Sequence, residues 1–494
     1  MKTEEDEYIE PFCRGWFDEQ YRFLSGRSSA VFVSRLYNQF SWLVQKESFL
    51  KLHAQPEKRL SAALVAHHFS RSLAEDEFAR VETLEQRSSD QVALLSQSVQ
   101  RELRGAVEQK LEHFYQENAG DYLKLRHAEA ISAQRLGFAS EAACEATLGG
   151  YPYEELLAEA ANFLNKTDDA YRDVLPYILK KSDPTHAEGG VRKAQWHDLL
   201  FAFNLPWMAM AGHFDSKRWL DAITHWYRES GLLLESAQVK LDVEESAGKS
   251  QLTLALPRNA PGRVTLFHRP RGGGGAVDAL LTLGALGEAQ SFVHVTPAAP
   301  ASARWLRARS VQQAWNSLFS LMLIDENWLR RYLRLSPSTA HDTARLFSFL
   351  ILALARQEAA KLRYRWASFK ANQRSDDPDP RGKNWEEEID LFDDKFRSCL
   401  GVRIPSAWAY PMLVASEQAP FKLQGLALAA SMRPFLQSQH DEDYWRNPAS
   451  ARWMKGLFFQ GGDQTYSGIT ELNGLANPTL IGAAGLLLEK LRRW

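Results

Sequence analysis

The residues able to bind a metal or move a proton are spread thinly along this chain. It has thirteen histidines, and no two stand four residues apart. No pair can therefore present two imidazoles on one helix face, as a helical zinc site requires. His67 and His68 are adjacent and point about 100° apart on a helix, which predicts partly exposed helix positions. His268 and His294 flank one stretch and could meet in space. No Gly-x-Ser-x-Gly elbow occurs, and Cys13, Cys144 and Cys399 lie far apart, outside any nucleophile context. A glycine run, Gly272–Gly275, tests for a phosphate cradle. A P-loop would continue Gly-Lys-Ser/Thr, but Ala276 and Val277 follow, and Val277 also breaks the dinucleotide fingerprint. The run reads as a turn that lets strand approach helix.

What must position any site is the stretch from Gln238 to Pro297. Val239–Val243, Leu252–Leu256 and Arg263–His268 alternate with period two, and Pro257 to Gly262 supplies a turn, which predicts a small antiparallel sheet. An apolar helix is expected over Val277–Phe292, with Asp278 favouring its start. In its middle stand Gly284, Ala285, Leu286, Gly287 and Glu288. Each helix-interior glycine costs about 1 kcal/mol relative to alanine, so something other than helix stability keeps two of them there.

The rest reads as helix. Val92, Leu95, Val99, Leu103, Val107, Leu111 and Phe114 recur as one helical face, with Arg101, Glu102, Arg104, Glu108 and Lys110 opposite and solvated. Further helices are expected over Tyr153–Leu164, Asp168–Lys181 with a bend at Pro176, Ala194–Phe203 and Trp219–Leu234. After the central stretch they continue over Ser310–Leu323, Glu326–Leu335, Thr343–Phe369, Trp385–Leu400 and Leu423–Leu436. The charged segment Ala371–Lys383, with two prolines, is expected as an exposed loop.

Composition narrows the function. A net charge of −2 gives no footprint for nucleic acid. The acidic start, MKTEEDEYIEPF, lacks the apolar core of a signal peptide. The apolar run Leu346–Ala355 falls short of the ~20 residues that span a bilayer. Three scattered cysteines make no disulfide framework. The expectation is a cytoplasmic protein with no membrane span and no nucleic-acid partner.

The central stretch resembles the zinc metallopeptidases of the oligoendopeptidase, carboxypeptidase Taq and angiotensin-converting-enzyme group. The resemblance rests on Asp242, Glu244, Gly248, Lys249 and Ser250, then a strand, then RPRGGGG, then a helix rich in Ala and Leu. It extends to Ala170–Lys180 with Trp196–Phe203, to Val311–Leu333 and to Asp443–Ser450. It implies a mostly α, clam-like body with a small antiparallel sheet embedded mid-chain. An N-terminal helical region, 1–235, would join 236–494, with the sheet, site helix and C-terminal helices, in one continuous body.

That family's chemistry needs His-Glu-x-x-His on the helix, two zinc ligands and the base that activates water. The motif falls on Gly284, Ala285 and Glu288, and the third ligand, a glutamate of the following helix, falls on Gln313. The family's oxyanion-steadying residues fall around Gln418, Lys422 and Gln424. The resemblance therefore implies a peptidase-like protein with no metal, no cofactor and no catalytic residue, kept to bind a peptide or protein. Arg263, Val264, Thr265, Leu266, Phe267 and His268 would form the edge strand that pairs with the peptide. The alternative is an active hydrolase or peptidase with a relocated or non-standard metal site or other chemistry, using Glu288 with His294 or His268.

Overall fold

The computed structural model describes residues 4–31, 33–183, 194–204, 211–232, 238–244, 246, 248–270, 274–374, 387, 389–390 and 392–491. Before the sheet come α1 (Glu4–Leu24), α2 (Val33–Gln39), α3 (Lys46–His53), α4 (Arg59–Ser72) and α5 (Glu75–Gln97). They are followed by α6 (Arg101–Glu117), α7 (Ala119–Arg135), α8 (Glu141–Gly149), α9 (Tyr153–Ser182), α10 (Trp196–Phe203) and α11 (Ser216–Ser230). Strands β1 (Val239–Asp242), β2 (Thr253–Asn259) and β3 (Arg263–His268) lead into α12 (Ala276–Val293) and α13 (Ala301–Trp305). Then come α14 (Arg309–Ser320), α15 (Glu326–Tyr332), α16 (Pro337–Arg374), α17 (Phe392–Leu400) and α18 (Ala409–Ala415). The chain closes with α19 (Ala419–His440), α20 (Pro448–Gln460), α21 (Tyr466–Asn473) and α22 (Leu480–Leu491). The fold is mostly α with one small sheet, and its buried apolar residues form one cluster from Ile9 to Leu491. The expected boundary at 235–236 lies outside the described residues, as do Gly272, Gly273 and residues 375–383 of the expected loop. The start of that loop, 371–374, is the helical end of α16.

The sheet corrects two expectations. Its order is β1-β3-β2, and β1 runs parallel to β3, Val239 opposite Val264 through Asp242 opposite Phe267, so it is mixed rather than antiparallel. Strand β3, expected as an edge open to a peptide, is central, with β2 on its other side from Thr253 opposite His268 to Asn259 opposite Arg263. Both ladders of Arg263–His268 are spent inside the sheet, and five of its six residues are buried. The sequence carried the reason: Pro257 has no N–H to donate and confines its strand to an outer position. β2 is one of the two outer strands, and its register slips between Pro257 and Asn259.

Two helical expectations also change. The face from Val92 to Phe114 is split between α5 and α6, with Ser98 extended at the break. Val99, at the break, is 81% exposed. Arg104, expected in solvent, is buried and closes this corner. Its Nη1 donates to the carbonyls of Ser98 (2.9 Å) and Val99 (3.3 Å), and its Nη2 donates to Asp183 (3.3 Å) and Asp198 (3.1 Å). Glu108 is buried as well, accepting from the His197 backbone N–H (3.1 Å) and facing its ring Nδ1 (2.8 Å). Carbonyls orphaned at a helix end need such partners, and a guanidinium supplies them where periodicity alone predicts one helix. The expected pair over 153–181 is instead one helix, α9, that carries Pro176 inside it.

Candidate functional site

The site helix, α12, is buried along nearly its whole length. It packs on β2 and β3 on one side and α14 on another, and α14 in turn packs on α19. Three glycines set how close these helices come. A Cβ on Gly287 would lie 2.4 Å from the Trp315 carbonyl oxygen and 2.9 Å from Phe319. One on Gly425, in α19, would lie 2.5 Å from the Gln313 carbonyl carbon, and one on Gly284 would lie 2.4 Å from Asn316 Oδ1. At Gly287 and Gly425 the neighbour is backbone, an approach that only glycine permits, whereas at Gly284 it is the Asn316 side chain; these close approaches account for glycines that helix propensity opposes.

Between α12 and α14 the carboxylate of Glu288 is held by three side-chain amides. Asn316 Nδ2 donates to it at 2.6 Å, Gln312 Nε2 at 2.9 Å and Gln313 Nε2 at 3.3 Å. Gln312, Gln313 and Asn316 sit at i, i+1 and i+4 of one helix, the spacing that brings side chains to one face. Burial raises the Glu288 carboxyl above its usual range, while the amides and the Lys422 ammonium oppose the rise. Beyond it lies a second charged group, in which Lys361 and Lys422 both reach Glu358 Oε1 at 3.1 Å. Burial pulls Lys361 below its usual range, and the two lysines outweigh burial at Glu358 and hold that carboxyl low. Glu358 Oε2 and, on α19, Gln424 Oε1 are buried with no hydrogen bond to another described residue.

The structure brings Gly284, Glu288 and Gln313 to one place, the α12–α14 contact, and buries Ala285 on α12. It adds Gln312 and Asn316, which sequence reasoning passed over although they share the face of Gln313. His268 and His294 do not join the cluster. His268 Nδ1 pairs with Thr253 Oγ1 at 2.9 Å. His294 Nε2 pairs with Gln290 Oε1 at 2.9 Å and stacks on Phe458, and burial lowers its pKa to about 4. Zinc takes imidazole, thiolate or carboxylate donors in a tetrahedral set. Here one carboxylate is present, its oxygens already accept amide protons, and the space over Gly284 holds Asn316. These residues do not fit a zinc ion. No group of three or more His, Cys, Asp or Glu among the described residues could hold a metal.

Next to this cluster opens a cavity of about 480 Å³, bordered by Gln312. Strand β2 reaches it through Ala255 and Pro257, and α4 lays a long face along it that includes Leu64, His67 and Arg71. Further apolar wall comes from Val81, Leu125, Leu148 and Phe421. Inside, Arg309 pairs with Glu417 at 2.6 Å, and His67 Nδ1 lies 3.9 Å from the same carboxylate. His67, expected partly exposed, keeps 25% of its side-chain surface, but that surface borders the cavity. Burial, then Arg71, lowers its pKa well below the usual value. His68, expected partly exposed, is buried against Phe12 and Trp16.

Comparison with known proteins adds the fold. No protein-family model matches the chain, and no curated protein matches its sequence. Solved structures do match in shape. A PZ peptidase A bound to an inhibitor superposes with a TM-score of 0.61 at 13% identity, covering 99% of this chain and 86% of that one. A putative oligoendopeptidase F from Bacillus anthracis gives 0.58 at 14%, covering 99% and 84%. A Pyrococcus furiosus carboxypeptidase gives 0.56 at 12%, covering 99% of each chain. The chain shares the fold of these peptidases over nearly its full length.

Proposed function

We propose that this chain is a pseudopeptidase, a protein with the peptidase body that no longer hydrolyses peptides and uses its central cavity to bind a peptide or a segment of a partner protein. The observation that carries this reading is the Glu288 carboxylate, satisfied by the amides of Gln312, Gln313 and Asn316 where the resemblance places two zinc ligands, a base and a third ligand. Three amide donors compete with a water for the lone pairs of this carboxylate, which offsets the raised pKa that burial gives it, and among the described residues no imidazole hydrogen-bonds to it. The peptidase names of the structural neighbours suggest what the cavity once served. A cavity of about 480 Å³ lies within the range of ligand pockets, roughly 300–1,000 Å³. Its neighbouring strand is β2, so the strand to test for peptide contact is β2 and not β3.

We place the protein in a reducing compartment, the cytoplasm, since Cys13, Cys144 and Cys399 are all unbridged. No described helix is long and apolar enough to cross a membrane. The test combines metal analysis of the purified full chain, hydrolysis of a fluorogenic peptide library and binding of the same library by fluorescence anisotropy. The expected result is far less than one zinc per chain, no cleavage, an unfolding midpoint indifferent to chelator, and binding of some library members. One zinc per chain, with hydrolysis lost on chelation, overturns the reading.

A further inference from the structure

Most charges facing the cavity are already matched. Arg309 takes Glu417, Arg365 takes Glu129 and Glu145, and Glu141 takes Arg126. Arg59, Arg71 and Glu82 are different: all three line the cavity, and none makes a hydrogen bond or ion pair with another described residue; of the two cations, Arg71 is the one whose charge acts on Glu82. Arg71, in the last turn of α4, sets its guanidinium carbon 4.1 Å from the centroid of the Phe78 ring and 5.5 Å from that of Trp16. Those ring contacts leave its N–H groups without a hydrogen-bond partner among the described residues. Glu82 stands four residues after Phe78 on α5, hence one turn along the same face. A cation and an anion are thus held side by side, close but not joined, with an apolar wall of Leu64, Val81, Leu125 and Leu148 around them.

Leaving a guanidinium and a carboxylate unpaired in a buried cavity is costly, and each lacks what the other end of one small zwitterion carries. A carboxylate presents the two oxygens that a guanidinium edge binds, and an ammonium presents three donors to a carboxylate. In an α-amino acid the two groups stand on one carbon, close enough to bridge neighbouring side chains. We propose that Arg71 and Glu82 form a binding site for a free α-amino acid with an apolar side chain, Arg71 holding the carboxylate, Glu82 the ammonium, and the leucine and valine wall the side chain. The site lies in the cavity assigned above to peptides, but does not require an extended peptide.

The experiment is titration calorimetry of the full-length protein with L-leucine, N-acetyl-leucine, leucinamide and tri-leucine. Leucine is expected to bind, with both singly blocked forms at least tenfold weaker. Glu82→Gln is expected to weaken leucine at least tenfold while leaving N-acetyl-leucine unchanged, since that ligand has no ammonium to lose. Arg71→Lys is the second variant, keeping the charge over Phe78 but not the fork, and leucine should weaken while leucinamide does not. Either blocked form binding as tightly as leucine overturns the inference, and so does no leucine binding at 10 mM. Binding of tri-leucine without leucine would overturn it while upholding the peptide reading. Failure of all four ligands and of the peptide library would remove both.

Discussion

Gly287→Ala makes the closeness of α12 and α14 measurable. Judged on helix propensity alone, the change stabilises, because alanine is favoured over glycine in a helix interior by about 1 kcal/mol. The structure predicts the opposite. The new Cβ would lie 2.4 Å from the Trp315 carbonyl oxygen and 2.9 and 3.0 Å from two carbons of the Phe319 ring. Ordinary contact begins near 3.4 Å, so about an ångström of overlap must be relieved. A backbone oxygen cannot step aside by rotating, so α14 must shift, and it is clamped from behind by Gly425 against Gln313. Overpacking of this kind costs roughly 1–3 kcal/mol and occasionally more. Set against the propensity gain, the net expectation is a loss of about 0–2 kcal/mol, toward the upper end because the obstacle is a backbone oxygen. Gly456→Ala in α20 is the control, since nothing lies within 4 Å of its added Cβ, and it should gain up to about 1 kcal/mol. Urea midpoints of the two variants should move in opposite directions. If Gly287→Ala moves up with Gly456→Ala, the helices are further apart than described, and room for an imidazole at 284 returns.

The other predictions concern the charges. Glu288→Ala strands three amide donors and should cost about 2–4 kcal/mol; Glu288→Gln keeps one acceptor and should cost less, and equal midpoints for wild type and both variants would show the ring to be idle. The combination Gly284→His, Ala285→Glu, Glu288→His and Gln313→Glu should fail to bind zinc tightly while Asn316 fills the space over 284, and adding Asn316→Ala should restore binding; calorimetric zinc titration decides, and tight binding by the quadruple variant alone would refute the filled site. Around His197, burial opposes the charged ring, but Asp198 and Glu108 outweigh it and lift the pKa to about 9. The folded value exceeds the unfolded one, about 6.5, so this stabilisation is complete below pH 6.5 and lost as pH rises through 9. It is worth about 1–3 kcal/mol. His197→Gln should flatten the decline of the thermal midpoint between pH 6.5 and 9.5, and an unchanged profile would refute the assignment.

The sequence was most readable where periodicity had only one use. The span of β3 was legible to the residue, and the site helix came within one residue at each end, because alternation and an unbroken apolar run fix a buried strand and a buried helix. Strand order was not legible by periodicity, since alternation says nothing about neighbours; Pro257 was the one residue that spoke to it. The break at Ser98 was hidden for a related reason. Arg104 and Glu108 read as solvated because charge is usually outside, yet in the fold they face Asp183, Asp198 and His197. At the site, the positions lacking donors could be read off one helix. The residues filling the gap could not, because Gln312 and Asn316 matter only once α14 is laid against α12.

That filling has a mechanical meaning. A metal ion bound by two helices is a cross-link, and its removal loosens both. The Glu288 carboxylate does the same mechanical work with hydrogen bonds: it is anchored on α12 and grips three side chains of α14. The glycines at 284, 287 and 425 add close packing on either side. What this cross-link lacks is the Lewis acidity of a metal ion. One of its members also faces the cavity. Gln312 gives its amide to Glu288 at 2.9 Å and borders the cavity. A ligand that drew that amide away would leave Glu288 with two donors, and the carboxyl, already raised by burial, would rise further as a stabilising bond was lost. Gln312 is thus the one side chain that both borders the cavity and bonds across the contact between the two central helices.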